Sequence, residues 1–188
     1  QFHNKKVDRD GKMLMSFAAL GNKLLRSAPK RSVEAADAAG RGFSTPVVNY
    51  DEFPFIPNIE PMYQSSVLAQ STAAMLAEKH GLPHSIMITT TPAFLNTPGG
   101  IFAYRFFLDS FEFSEALYDM PIEEVKKLMK NEAKRNFLRI MYNYWELGKD
   151  DNYFQDQCEK VGHDQDAIDR EILCKWKDVG TDHPLGQE

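Results

Sequence analysis

The chain has 188 residues, 43% of them hydrophobic and 13 of them Phe, with a formal net charge of −5; that is too apolar for wholesale disorder and suits one domain with a modest core. Residues 1–44 hold nine of the 22 Lys and Arg but four of the 27 Asp and Glu, which leaves 13 bases against 23 acids in residues 45–188, a formal charge of −10. Such an acidic body argues against broad RNA or DNA contact, whose phosphates demand a basic face, and two Cys exclude a disulfide scaffold.

Residues 1–43 read as a presequence-like segment. The stretch GKMLMSFAALGNKLLRSAPKRSV at 11–33 carries Lys12, Lys23, Arg26, Lys30 and Arg31 and no acid. Leu14, Phe17, Leu24 and Leu25 fall roughly on one helical face, as in an amphipathic, acid-poor mitochondrial transit peptide. Ser16 and Gly21-Asn22-Lys23 interrupt the apolar run, so it is neither a secretory signal nor a membrane span. Met13 or Met15 is the expected initiator. RGFST at 41–45 resembles a mitochondrial presequence cleavage site, an Arg followed by an aromatic and a small residue, and predicts a mature N-terminus near Ser44.

Residues 44–65 read as an extended arm. Pro46, Pro54, Pro57 and Pro61 disfavour a helix or a central strand, yet Val47, Val48, Tyr50, Phe53, Phe55, Ile56, Ile59 and Tyr63 lie among them. Such an arm wraps either on a partner or on its own domain. Phe53, Phe55 and Ile56 are the expected partner-docking anchors.

Residues 66–188 read as a mostly helical domain, so that the fold class expected is mainly α, with an extended Pro-rich N-terminal arm and at most a short β element. A helix is expected over 66–80, closed by Gly81 and Pro83. Ala69, Ala73 and Ala77 give it a small-residue stripe. SIMITTT at 85–91 is a candidate short strand, and TPGG at 97–100 a turn signal. IFAYRFFL at 101–108 fits a buried strand or a short core helix equally well. Phe102, Phe106, Phe107, Phe111 and Phe113 then form either a core or a subunit-docking surface.

The spacing of Ile122, Val125, Met129, Ala133, Phe137, Ile140, Tyr144 and Leu147 predicts one helix over 119–147, about 40 Å long. Asp119 is its expected cap and Gly148 its stop. Lys126, Lys127, Lys130, Lys134 and Arg135 would give it a basic face, either solvated or set against lipid headgroups or an acidic subunit. Asp164 is an expected cap for a last helix reaching about Asp178.

Chemistry-bearing motifs are weak. Cys158, His163, Cys174 and His183 match no standard zinc spacing. DDNYFQDQCEKV at 150–161 begins like a calcium loop but lacks its central Gly and closing Glu. His80 and His84 flank a turn without a third partner, TPGG lacks the Gly-Lys-Ser/Thr of a phosphate loop, and neither a nucleophile elbow nor a dinucleotide fingerprint occurs. No catalytic, cofactor or metal residue is therefore assigned. The reading is a non-catalytic accessory subunit of a mitochondrial inner-membrane energy-converting complex, a respiratory chain complex or the ATP synthase, on the matrix side. The alternatives are a small matrix enzyme or a peripheral mitoribosomal protein.

Overall fold

The computed structural model describes residues 5–7, 13–17, 22–27, 30–39, 41 and 45–178, and for 5–7, 13–17 and 22–23 the backbone alone. The expected cut near Ser44 lies outside the described residues. The chain divides into two compact units, residues 1–48 with 56–86 and residues 49–55 with 87–188.

The first unit opens with β1 (Lys5–Val7), β2 (Met13–Phe17) and β3 (Asn22–Arg26), an antiparallel sheet in chain order. Leu14 pairs with Leu25 and Phe17 with Asn22. The expected amphipathic helix is thus replaced by strands, since apolar runs this short do not separate the two by periodicity. Helix α1 (Val33–Ala39) follows, started by Ser32, whose Oγ accepts a hydrogen bond from Ala35 N at 3.2 Å. Helix α2 spans Ile59–Lys79 and takes in the last residues of the segment read as extended. Pro61 permits this because it stands in the first turn, where a missing N–H costs nothing. The other end is a Schellman motif. Gly81 at φ +64 turns the chain back, Leu82 N donates to Ala77 O at 2.8 Å and Gly81 N to Glu78 O at 3.0 Å.

Strands β4 (Val47–Asp51) and β5 (Ser85–Thr89) form a two-stranded sheet. Ser85 N donates to Pro46 O at one end and Glu52 N to Thr89 O at the other, so the strands run parallel. Parallel strands need a crossover, and α2 is of crossover length.

In the second unit a 3-10 turn, Phe53–Phe55, sits under helix α3 (Pro98–Leu108). TPGG at 97–100 proves to be the start of α3 rather than a free turn. Thr97 Oγ1 accepts from Gly100 N at 3.0 Å, and Pro98 follows as the first helical residue. Phe53 is 1% exposed. Its ring packs on Tyr50, Phe102 and Phe106 with centroids 5.5, 5.7 and 5.5 Å away, and Phe106 meets Phe137 at 4.8 Å. Tyr50 and Phe53 of the proline-spaced segment therefore belong to this unit's own core.

Next come β6 (Ser110–Glu112), helix α4 (Ile122–Glu132) and β7 (Arg135–Arg139), with β7 parallel to β6. The single helix expected over 119–147 is corrected here: it ends at Glu132, and Ala133 is extended at φ −104, ψ 145. Phe137 falls on the helical spacing, but it equally alternates with the outward Asn136 and Leu138 of a strand, and pairing with β6 decides the matter. Helix α5 (Asp151–Lys160) and the short α6 (Gln165–Ala167) are capped by Asp150 and Asp164, whose carboxylates accept from Tyr153 N at 2.9 Å and Ala167 N at 2.7 Å. The expected last helix stops early, in a π turn at Ile168–Ile172, before Cys174 at φ +52. Beyond it Leu95 N donates to Lys177 O at 2.8 Å, which holds the end of the described chain against Phe94. A second core gathers Cys158, Ile168 and Ile172 under Tyr144, Phe154, Val161 and Leu173. Helices outweigh strands among the described residues, but the expectation of at most a short β element is corrected by two two-stranded parallel sheets and a three-stranded antiparallel one.

Phe53→Ala should cost about 3–5 kcal/mol, as for other buried Phe truncations, when the full chain is unfolded in urea. Phe55→Ala, at a ring 47% exposed, should cost less than about 1 kcal/mol. Equal losses would remove Phe53 from the core. Gly99→Ala should also destabilise, although Ala favours helix by about 1 kcal/mol, because a Cβ there would run into the backbone carbonyl of Pro54. A stabilised Gly99→Ala chain would contradict that close approach.

Candidate functional site

The three expected docking residues end in different surroundings. Phe53 lies inside the aromatic core, where a partner reaches it only by opening the fold. Phe55 is exposed, and Ile56 is half-buried. The structure does not gather them into one surface.

Larger apolar surfaces lie elsewhere. On α2 the buried strip runs through Ile59, Tyr63, Gln70 and Ala77, and Gln70 Nε2 donates to Pro46 O at 3.0 Å. The opposite face carries Leu68 and Met75, each 72% exposed, with Leu76 and Leu82 also exposed. A helix with apolar residues on more than one face is ordinarily covered on more than one face. In the sequence Leu68, Thr72, Met75 and Lys79 recur at spacings of four, three and four, away from the strip, but a Leu or Met at helical spacing reads equally well as core. In the second unit Leu138, Ile140, Met141, Tyr142, Trp145 and Leu147 are all exposed within ten residues. Reading this stretch as the end of a helix concealed it.

The basic face expected over Lys126 to Arg135 is dispersed. Lys126 Nζ pairs with Glu123 at 3.0 Å, and Lys134 Nζ with Asp109 at 3.4 Å. Lys127 and Lys130 stand exposed on α4. Arg135 turns inward, its guanidinium 4.5 Å from the Phe106 ring centroid, and Arg139 lies 4.9 Å from that of Phe107 while bonding Glu112 at 2.8 Å. Arg135 Nε is buried without a hydrogen bond, 3.8 Å from Asp109 Oδ2. The ring face beneath it takes the place of a hydrogen-bond acceptor.

Of the candidate metal set, Cys158, His163 and Cys174 are described, and they form no group that could hold a metal ion. Cys158 and Cys174 are both free thiols, Cys158 buried in the second core. Cys174 Sγ lies 3.8 Å from Tyr142 O, and burial, then Glu171 and Glu146, push its pKa up. His183 lies outside the described residues. Among the described residues no group of three or more His, Cys, Asp and Glu could hold a metal ion, and no helix is long and apolar enough to cross a membrane.

The densest polar cluster closes the second unit. Lys177 Nζ sits 2.7 Å from Asp166 and 3.5 Å from Asp169, and Lys175 Nζ lies 3.2 Å from Asp169. Burial works to raise the pKa of Asp169, but the hydrogen bonds from Lys175 and Gln165 and the charges of Lys175 and Lys177 outweigh it, so the pKa falls below the ordinary value. Arg170 stacks 4.3 Å from the Phe94 centroid. Every charge here has a partner within the chain, so the cluster is a clasp on the C-terminal segment rather than a site. Comparison with protein-family models, curated proteins and solved structures finds no match to this chain.

The clasp predicts an acid sensitivity. The pKa of Asp150 is lowered too, first by the hydrogen bond from Tyr153 N. Both folded values lie below the unfolded ones. The stability they contribute is complete above about pH 4 and is lost as pH falls through the folded values. The urea midpoint should drop below pH 4, and Asp169→Asn should flatten that drop. An unchanged acid limb in the variant would show that Asp169 does not carry it.

Proposed function

We propose that this chain is a non-catalytic accessory subunit of a mitochondrial inner-membrane energy-converting complex, a respiratory chain complex or the ATP synthase, and that it contributes to assembly and stability on the matrix side. The observation that carries the reading is the apolar surface left in water, above all Leu68 and Met75 on α2. Scattered exposed Leu residues are ordinary, but large side chains grouped on one helix face mark a surface made to be covered. The run from Ile140 to Leu147 adds a second such surface. The compartment is supported by RGFST and the acid-free basic stretch before it, and two free thiols suit a reducing matrix. Phe55, exposed, and Ile56, half-buried, are proposed as separate, lesser partner contacts. Lys126, Lys127, Lys130 and Lys134 are proposed as peripheral contacts to lipid headgroups, with Glu123 and Asp109 already offsetting two of them.

Native gel separation of mitochondrial extract, with mass spectrometry of the band holding this chain, tests the reading. Co-migration with a respiratory complex or the ATP synthase is expected, whereas a free species of the chain's own mass would sink it. Leu68→Ser with Met75→Ser should shift the chain to that free position. Each change should alter the stability of the isolated chain by no more than about 0.5 kcal/mol, since neither side chain is buried. Retention of the double variant in the complex would exclude this face of α2 as the docking surface.

A further inference from the structure

Among the described residues α1 is the one helix that precedes RGFST, and it packs on α2. Its Ala36 is 0% exposed. The strip of Ile59, Tyr63, Gln70 and Ala77 accounts for one buried side of α2. Ser65 stands roughly a third of a turn from that strip, yet it is 7% exposed. Among the described helices α1 is the one that packs on α2, and we assign the cover of Ser65 to it. The side chain of Asn58, at the start of α2, ties the two together: Nδ2 donates to Lys30 O at 3.2 Å and to Arg31 O at 2.9 Å.

The cover has a particular chemistry. Helix α1 reads VEAADAA; Ala36 is buried and Ala35 and Ala39 are half-buried, and these single methyl groups let its backbone come close to α2. The matching side of α2 carries Ser65 and Ala69, also small. A seven-residue helix is not stable alone, because isolated helices shorter than about 12–15 residues are marginal in water. What holds α1 in place is the high effective concentration that the covalent link provides. A cut between Gly40 and Thr45 removes that link.

We propose that α1 is a built-in placeholder, and that processing vacates the Asn58–Ser65 side of α2 for an alanine-rich helix of a neighbouring subunit. This rests on the reading of residues 1–43 as a presequence. Before processing, α1 keeps the precursor from assembling; afterwards, α2 offers a face already shaped to a small-residue helix.

Hydrogen exchange on the full chain, before and after treatment with the mitochondrial processing peptidase, tests this. Amides of 59–69 should exchange roughly tenfold faster after the cut, while those of 98–172 stay unchanged. A synthetic peptide of residues 30–41 should restore the protection and saturate. Ala36→Arg in the uncut chain should reproduce the faster exchange without any cleavage. Unchanged exchange at 59–69 both after cleavage and in Ala36→Arg would overturn the placeholder, as would full assembly in mitochondria of an Arg41→Ala precursor that is not cut. If the peptidase leaves the chain whole but Ala36→Arg still uncovers α2, the presequence reading falls and the cover stands.

Discussion

The second unit depends on how closely α3 approaches the turn before it. Gly99 lies against the carbonyl of Pro54 and Gly100 against that of Phe94, both nearer than any side chain would allow. That approach lets Phe102 and Phe106 meet Phe53, and Phe106 in turn holds Phe137 of β7. Without two successive small residues at the start of α3, the aromatic rings would be held apart by a backbone collision. The strand pair β6–β7 would then lose the surface it packs on, because a two-stranded sheet has little stability of its own. One backbone contact therefore sets the helix, the core and the sheet together.

What the sequence disclosed and what it withheld divide along the range of the forces involved. Helix ends set by local hydrogen bonds were legible, as in Gly81 closing α2 and Asp164 capping α6, and the β-branched run at Ser85–Thr89 marked a strand without disclosing its partner. Elements settled by distant partners were not. Phe137 and Ile140 fit the helical period of 119–147, and nothing nearby signals that β6, more than twenty residues earlier, will pair with Arg135–Arg139. The prolines misled in a similar way. Their count argued for an arm without a core, but Pro61 stands where a helix tolerates proline, and Pro54 is itself buried beside Phe53. Of the three expected anchors, Phe53 is buried in the fold while Phe55 stays exposed, and the exposure of Leu68 and Met75 has no local signal, because a Leu or Met at helical spacing reads equally well as core.

The two cores leave much of the chain's large apolar inventory uncovered. Burying a Leu or Met side chain is worth about 1.5–3 kcal/mol, and Leu68 and Met75 gain little of it within the chain. A chain of this length folds with a modest margin, so forgone burial on this scale makes best sense where another surface supplies it. The same logic separates the side of α2 under α1 from the side bearing Leu68. In the full chain one is covered by α1, whereas the other is exposed.

The placement of the bases bears on the kind of partner that the proposed docking would take. Arg135 and Arg139 lie over the rings of Phe106 and Phe107, and Lys175 and Lys177 hold Asp166 and Asp169. Stacked and paired in this way, they act within the fold, and phosphate recognition would require removing them from it. Lys126 and Lys134, nearer the surface, already face Glu123 and Asp109. A nucleic-acid surface needs several unpaired bases on one side, and residues 45–188 hold 23 acids against 13 bases to begin with. The surfaces left without cover are instead apolar, at Leu68, Met75 and Ile140 to Leu147. Covering them by desolvation suits a protein neighbour, whose packed side chains exclude water, far better than a polyanion that keeps its own hydration.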